Sequence, residues 1–311
     1  MDRTDSTDTS AAFYAYYYGV FGLITLVNVI GNTLVIVVIV RHECLRRSCN
    51  AYLVNQAFAD LFLAVTYPLY NLVYLDVVGS LFDDYWTCTI FISQVVVAIV
   101  ASPWSLVAIT ANRYIAIIYP LSYVRYVTAR STALSIAVLW IGAETYTLVA
   151  HVAFSPKREA SICTYEVMYT SRHAITLNII SGALPLIILI CLYIRIIKVA
   201  RRQARAIAAQ RPVDNRTQTY KSDKRSTTVV TLLLGFYITT WLPVSIYFLY
   251  YFSCGECQIS LYFRATTRIM VYVNSAINFF VYAVRLQTFR NCLMMEIKQL
   301  KNICMSPFRR Q

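Results

Sequence analysis

Long apolar stretches alternate with short polar segments along almost the whole chain. Charge-free runs such as residues 11–40 and 85–112 far exceed what the core of a soluble domain requires. A helix needs about 20 apolar residues to cross a bilayer. Seven stretches reach that length, and they predict membrane spans one to seven at residues 13–40, 51–75, 85–118, 131–153, 174–198, 226–252 and 259–284.

Only a helix satisfies its own backbone hydrogen bonds in lipid at this length, so the pattern predicts an all-α membrane protein with a seven-transmembrane helix bundle. After span seven, apolar residues recur at helical spacing among basic ones. This is typical of a short amphipathic eighth helix on the inner membrane surface, with a frayed basic tail as the alternative. The chain therefore divides into an outer N-terminus at 1–12, a bundle at 13–284, and an amphipathic helix and tail at 285–311.

Charge fixes the predicted orientation. The chain is 58% hydrophobic and 14% charged, with a formal net charge of +13. If the N-terminus is outside, 22 of the 28 lysines and arginines fall on the inner side, which satisfies the positive-inside rule. These residues border the spans, where they can contact anionic membrane lipid. They form no separate basic domain, so binding to nucleic acid is the weaker interpretation. We expect a multi-pass protein of the plasma membrane with an extracellular N-terminus.

Short motifs stand at fixed places on these spans. They are Gly31-Asn32 in span one, Asn55 and Ala59-Asp60-Leu61 in span two, Cys88 and Asn112-Arg113-Tyr114 at the two ends of span three, Trp140 in span four, Pro185 and Tyr193 in span five, Trp241-Leu242-Pro243 in span six, and Asn274-Ser275 and Asn278-Phe279-Phe280-Val281-Tyr282 in span seven. Their order resembles that of the rhodopsin-like (class A) G-protein-coupled receptors over nearly the whole chain. The resemblance implies a receptor that binds an extracellular ligand and activates a heterotrimeric G protein.

Asp60 is a carboxylate predicted to lie in the middle of the bilayer. Such a group needs a partner or an ion. The resemblance implies an oxygen-lined pocket for a sodium ion that acts as an allosteric modulator, and hard oxygen donors suit such a cation. The ligands it implies are Asp60, Ser102, Asn274, Ser275 and Asn278. An Asp60 that is only hydrogen-bonded or protonated is the alternative, and no other cofactor is expected.

The expected activation switch lies at the inner ends of the spans and, at Trp241 and Pro243, at the floor of the outer pocket. By the resemblance its members are Asn112, Arg113, Tyr114, Tyr193, Asp223, Trp241, Pro243 and Tyr282. Asn112 stands where the family usually has an aspartate, and an amide holds a guanidinium less firmly than a carboxylate does. Asp223 could supply the missing charge, or it could be an ordinary solvated acid beside Lys221 and Lys224. Phe279 replaces the family's proline, so span seven is expected to run straighter.

The nine cysteines divide by the side of the membrane on which they fall. Cys88 and Cys163 are both on the oxidising side and by the resemblance form a disulfide. Cys254 and Cys257 are predicted to form a small staple in the third outer loop. Cys44, Cys49 and Cys191 are expected to be free. Cys304 and Cys292 are candidates for palmitate, with a free thiol as the alternative.

The outer half of the bundle is expected to hold the ligand. The implied lining is Tyr70, Val95, Val96, Ile99, Tyr165, Trp241, Tyr247, Phe248, Arg268 and Tyr272. Amine receptors of this family carry an aspartate where Val95 stands, and opsins carry a lysine where Tyr272 stands. A conventional biogenic amine and retinal are therefore not expected, which leaves a small molecule, a lipid or a short peptide. Arg268 could bind a carboxylate or phosphate, or it could point outward or pair with Glu166.

Two other functions remain open at this stage. A polytopic transporter would need repeated halves or broken helices, and the sequence has neither pattern. A receptor-like protein with altered or lost signalling is raised by Asn112 and Phe279. An enzyme is not expected, because His42, His151 and His173 are scattered and match no catalytic or metal-binding spacing.

Overall fold

The computed structural model describes residues 10–74, 84–153, 163, 165, 170–210, 216–254 and 260–305, which are almost entirely helical. Each predicted span corresponds to a helical segment. Span one is Ser10–Arg41, span two Ser48–Tyr74, span three Tyr85–Ile118, span four Ala129–Ala153, span six Arg216–Cys254 and span seven Leu261–Arg285. Span five consists of Ser171–Asn178, a π turn at Ile179–Ala183, and Leu184–Gln210. The prediction of an all-α seven-helix protein is confirmed.

Spans five and six extend beyond the apolar stretches that predicted them. Span five continues to Gln210, and span six begins at Arg216 rather than at residue 226. The added turns carry the basic residues of the inner loop. A hydropathy pattern detects only the part of a helix that lies in lipid, so it missed these polar extensions.

Length and composition identify most of the helices as membrane spans. Within the described residues, spans one, three, four, five and six each pass such a test, and span seven passes together with the helix that follows it. Span two is less apolar because it holds Asn55, Gln56, Asp60 and Asn71, and all four are buried inside the bundle. Polar residues of a membrane helix normally face the bundle interior, as these do.

Span three forms the centre of the bundle and span four its edge. Most of span three is buried, whereas little of span four is. Large apolar side chains on span four point outward, including Leu134, Val138, Ile141 and Leu148. Lipid tails are as apolar as leucine, so such residues are as well placed outside as inside. Trp140 of this span donates to Asn55 of span two (Nε1 to Oδ1, 2.9 Å) and so holds the edge helix in place.

The predicted amphipathic helix is Gln287–Met305, bent by 99° from span seven. We call it the terminal helix. Its Phe289, Cys292 and Leu293 are buried against the bundle. The buried carboxylate of Glu296 accepts from Arg41 of span one (2.9 Å) and lies 3.3 Å from the His42 ring. A charge-assisted contact with a buried carboxylate fixes this helix against the end of span one.

Free thiols meet at the same contact. Cys44, Cys49, Cys191 and Cys292 are free among the described residues, and the sulfur atoms of Cys44 and Cys292 are 3.6 Å apart. Burial raises the pKa of the Cys292 thiol to about 11, and a protonated, buried thiol is a poor nucleophile. Cys292 is therefore a buried, protonated thiol of the docked terminal helix. The side chain of Cys304 lies outside the described residues, and palmitoylation of either cysteine stays a prediction.

Candidate ligand cavity and activation core

A cavity that is partly open to solvent lies among spans two, three, five, six and seven. Nine of the ten predicted lining residues surround it. They are Tyr70, Val95, Val96, Ile99, Tyr165, Trp241, Tyr247, Phe248 and Arg268. Tyr67, Asn178 and Tyr251 also line it and were not predicted. Tyr67 and Tyr251 lie one helical turn from Tyr70 and Tyr247, so the 3.6-residue period could have found them.

Tyr272 does not line the cavity. It is fully buried, and its hydroxyl donates to the backbone oxygen of Ala64 at 3.1 Å. Its ring stacks on Phe21 (centroids 4.8 Å apart) and lies 5.9 Å from the Tyr67 ring. Tyr272 therefore joins spans one, two and seven behind the cavity wall, and stacked aromatic rings stabilise such a junction.

The cavity wall is mostly aromatic and aliphatic. Its hydrogen-bonding side chains include Asn178, Ser181 and Thr267, and Arg268 is the charged residue that the described lining contains. Val95, which stands where amine receptors of the family carry an aspartate, is buried in this wall. An apolar site with few polar groups is the usual form of a small-molecule pocket.

The second outer loop is tied to the cavity at two residues. Cys163 forms a disulfide with Cys88 of span three, with Cα atoms 5.6 Å apart, as predicted. Tyr165 hydrogen-bonds His173 of span five (Oη to Nδ1, 2.9 Å), and its backbone N–H faces the Tyr70 hydroxyl at 3.4 Å. The loop is thereby held against the cavity from both sides. Cys254 is also disulfide-bonded, and its predicted partner Cys257 lies outside the described residues.

Span three is capped where the disulfide joins it. The Asp84 carboxylate accepts from the backbone N–H groups of Trp86 and Thr87, both at 3.0 Å. These hydrogen bonds, that of Thr87 foremost, lower the pKa of Asp84. A carboxylate at this position accepts hydrogen bonds from backbone N–H groups that are otherwise unpaired at the start of a helix. The cap therefore stabilises the first turn of span three, next to Cys88.

Below the cavity lies a buried polar cluster centred on Asp60. The carboxylate accepts from Ser102 (2.7 Å), from Asn278 (2.7 Å) and from Gln56, whose amide nitrogen is 3.1 Å from both oxygens. Ser275 lies beside it, whereas Asn274 accepts from Thr240 of span six at 3.3 Å. Four of the predicted sodium ligands thus meet and Asn274 turns toward span six. Gln56 was not predicted, because no family motif includes it.

Trp241 forms the cavity floor, and the residue below it locks two spans together. The fully buried Tyr237 donates to the backbone oxygens of Ser181 (2.7 Å) and Gly182 (3.1 Å). Both acceptors belong to the π turn of span five. Such turns leave carbonyl groups without helical partners, and Tyr237 satisfies two of them. Spans five and six are therefore joined by hydrogen bonds at this depth, six residues before Pro243 on span six.

The inner end of the bundle holds the rest of the predicted switch, apart from one residue. Arg113 is half-buried, and the structure records no ion pair to it from the part of the chain it describes. Asn112 is buried beside Tyr123, whose pKa is raised chiefly by burial. Tyr193 hydrogen-bonds Thr231 of span six. The side chain of Asp223 lies outside the described residues, so its predicted bridge to Arg113 stays a prediction.

Tyr114 and Tyr282 complete the inner end. The Tyr114 hydroxyl lies 3.5 Å from the Arg195 guanidinium of span five. Tyr282 is fully buried, and its hydroxyl has no hydrogen-bond partner among the described residues. An unpaired buried hydroxyl is costly, and the part of Tyr282 in an activation switch stays a prediction.

Phe279 packs where the family has a proline. Span seven runs unbroken from Leu261 to Arg285. The Phe279 ring fills the space beside Gly31 of span one, where an added methyl group would meet the Cβ and Cγ of Phe279 at 3.0 Å. The absence of a side chain at Gly31 thus lets spans one and seven approach closely, as small residues do in membrane bundles.

Comparison with known proteins agrees with this architecture. Residues 31–282 match the family model described as 7 transmembrane receptor (rhodopsin family). The chain belongs to the rhodopsin family of seven-transmembrane receptors. It is therefore a multi-pass membrane protein and, like the family, a receptor rather than an enzyme. The predicted resemblance is confirmed, and it covers four-fifths of the chain.

Relatives within this rhodopsin family are named for different ligands. The chain is 27% identical to the histamine H2 receptor of Cavia porcellus over 274 residues, which cover 85% of this chain and 74% of that one. It is 27% identical to the adenosine receptor A2a of Canis lupus familiaris over 280 residues, with 84% and 67% covered. It is 29% identical to melanocortin receptor 5 of Mus musculus over 297 residues, with 91% and 83% covered. Similarity at this level fixes the family, and the ligand has to be inferred from the cavity.

Proposed function

We propose that this protein is a plasma-membrane receptor with an outer N-terminus, which binds an extracellular ligand in the cavity and activates a heterotrimeric G protein. The observation that supports it most is the order of three sites along the bundle: Trp241 in the cavity lining, the buried Asp60 cluster below it, and the half-buried Arg113 at the end of span three. A ligand that displaces Trp241 would act on span six directly. Movement of packed helices between two arrangements is the usual form of such a transition.

The contacts between spans five and six would carry the change inward. Tyr237 couples span six to the π turn at the level of the floor, and the Tyr193–Thr231 contact couples the same spans at the inner end. A G protein would meet the inner ends of these spans, where Arg195 and Lys198 lie. These basic residues also suit anionic lipid, so both partners are proposed for this surface.

A receptor that no longer signals is the second candidate. It is favoured by Asn112, which packs beside Tyr123 where the family has a charged residue, and by Phe279 in place of proline. An amide restrains Arg113 less than a carboxylate would, which also predicts ligand-free activity in a signalling receptor. The two candidates therefore predict opposite results in one assay.

We expect ligand-free activation of at least one Gα subtype, and we expect Arg113→Ala to abolish it. The measurement is nucleotide exchange across a panel of Gα subtypes in membranes that hold equal surface amounts of the two receptors. Arg172→Ala is the matched control, because it removes an arginine from the outer side. A wild type that activates no subtype, either alone or under a ligand screen that includes acids and amines, would instead support the silent receptor.

We further propose that the ligand carries an acidic group rather than an ammonium. Arg268 lines the cavity, and Val95 offers no carboxylate to a cation. A guanidinium in an apolar wall binds carboxylate or phosphate through paired hydrogen bonds, and its charge repels an ammonium. The surrounding tyrosines and aliphatic residues suit an apolar body, so small carboxylates, acidic lipids and short acidic peptides fit the cavity best.

A screen of carboxylates, phosphates and amines by G-protein activation would test this choice. We expect active compounds among the acids, and at least tenfold weaker potency for those acids at Arg268→Gln, since a lost charge-assisted contact costs roughly 1.5–3 kcal/mol. Arg268→Lys should retain part of the potency because it keeps the charge. Potent activation by an amine, or acids that act equally on Arg268→Gln, would contradict the proposal.

We also propose that the Asp60 cluster binds sodium. What supports this is its set of oxygen atoms: a fully buried carboxylate, the Ser102 hydroxyl at 2.7 Å from it, and the buried Ser275 hydroxyl beside it. Asp60, Ser102, Ser275 and Asn278 would hold the ion, with Asn274 at the edge toward span six. A bound sodium ion supplies the positive charge that a buried carboxylate otherwise lacks.

A further inference from the structure

Gln56 holds a place in the Asp60 cluster that no motif assigns to it. It lies one helical turn before Asp60 on span two, and both side chains are buried. The amide nitrogen of Gln56 is 3.1 Å from each oxygen of the Asp60 carboxylate and 3.2 Å from the Ser102 hydroxyl. It therefore bridges both carboxylate oxygens and one of the proposed sodium ligands.

The direction of this amide follows from the charge of Asp60. An amide N–H donates to a carboxylate, whereas the amide oxygen would be repelled by it. With the nitrogen toward Asp60, the Gln56 oxygen has no hydrogen-bond partner among the described residues. Leaving a buried acceptor unpaired is unfavourable. The contact with the carboxylate is thus strong enough to hold the amide in an orientation that leaves its own oxygen unpaired.

Hydrogen-bond donors already surround both oxygens of the Asp60 carboxylate, which leaves little negative charge for a cation to neutralise. Ser102 and Gln56 donate to one oxygen, and Asn278 and Gln56 donate to the other. A carboxylate offers about four lone-pair sites, so the existing contacts use them all. A sodium ion and the Gln56 amide therefore compete for the same two carboxylate oxygens. Either the ion or the amide can contact both oxygens at a given time, but not the two together.

We propose that Gln56 is a built-in competitor of sodium, and that it sets how much sodium the receptor needs. This inference rests on the sodium site proposed above. The Gln56 amide stabilises the ion-free carboxylate, so sodium must displace it before binding. Removing the amide should make sodium bind at least tenfold more tightly, because hydrogen bonds to charged groups are among the stronger ones in proteins.

The test is a sodium titration of thermal stability, which needs neither a ligand nor a G protein. Purified full-length receptor in lipid nanodiscs is melted at pH 7.5 in increasing sodium chloride, with N-methyl-D-glucamine chloride keeping the ionic strength constant. An ion that binds only the folded state raises the melting temperature. Wild type is compared with Gln56→Leu, with Gln56→Met as a second variant that keeps the length of the side chain, and with Asp60→Asn in both backgrounds.

We expect half-maximal stabilisation of Gln56→Leu and Gln56→Met at a sodium concentration at least tenfold lower than for wild type, and no sodium-specific effect in either Asp60→Asn protein. Equal concentrations for wild type and both variants would overturn the competition while leaving the sodium site intact. A higher concentration for the variants would also overturn it, and would make Gln56 a ligand instead. No sodium effect in any protein would overturn both the site and the competition.

Discussion

Cys163→Ser should lower the free energy of unfolding of the outer half of the bundle by about 4 kcal/mol, because the disulfide to Cys88 closes a loop of 75 residues and restricts the unfolded chain. The loss extends to the cavity, since Tyr165 follows Cys163 by two residues and contacts both His173 and Tyr70. We expect a lower melting temperature and loss of ligand binding in the cavity.

Melting of the purified receptor, with and without a reducing agent, would measure this effect. Cys191→Ser is the control, since Cys191 is a free, exposed thiol and its replacement should leave the melting temperature unchanged. Cys88→Ser should match Cys163→Ser, and the double variant should be no less stable than either. If the two losses add, each cysteine stabilises the protein by some means other than their shared bond.

Gly31→Ala should be the second large loss of stability. The added methyl group would lie 3.0 Å from both Cβ and Cγ of Phe279, and Cβ cannot move without its backbone. Overpacking of this kind costs about 1–3 kcal/mol, and the gain of about 1 kcal/mol that alanine brings to a helix offsets part of it, so the net loss should reach about 2 kcal/mol. Spans one and seven would have to separate, so we also expect altered ligand-free activity.

A double-mutant cycle would assign the loss to Phe279. In a Phe279→Ala background two of the three close atoms are gone, so Gly31→Ala should cost less there, as measured by thermal melting. Gly22→Ala in the same span is the matched control, because nothing lies within 4 Å of its added methyl group. Equal costs in both backgrounds would show that Gly31 contributes through span one alone.

The hydropathy pattern was sufficient for the seven helices, since lipid demands an apolar segment at every crossing. It was also sufficient to identify the apolar face of the terminal helix, because Phe289 and Leu293 lie one helical turn apart on the same face. The π turn at Ile179–Ala183 could not be predicted in this way. The extra residue shifts the helical phase, but residues 183–192 are apolar on every side, so no change of face is visible in the pattern.

The sequence likewise predicted only part of the cavity and of the Asp60 cluster. Family motifs identified the residues around the cavity, since each lies at a fixed distance from a motif on its own helix. They did not predict Gln56, because its importance comes from the distance to Asp60 in the folded bundle. Tyr272 was misplaced for the same reason: its helix faces the cavity, but its ring turns to Phe21 and Ala64. Side-chain direction depends on neighbours that the sequence does not identify.

The docked terminal helix also limits how the receptor can move. Its outward face carries Met294, Met295 and Ile297, all about half exposed, which suit the boundary between headgroups and acyl chains. Raising or lowering the inner end of span seven along the membrane normal would drag these side chains into water or deeper among the acyl chains. Displacements of Tyr282 should therefore run parallel to the bilayer plane, so the surrounding lipid limits the direction in which the inner end of span seven can move.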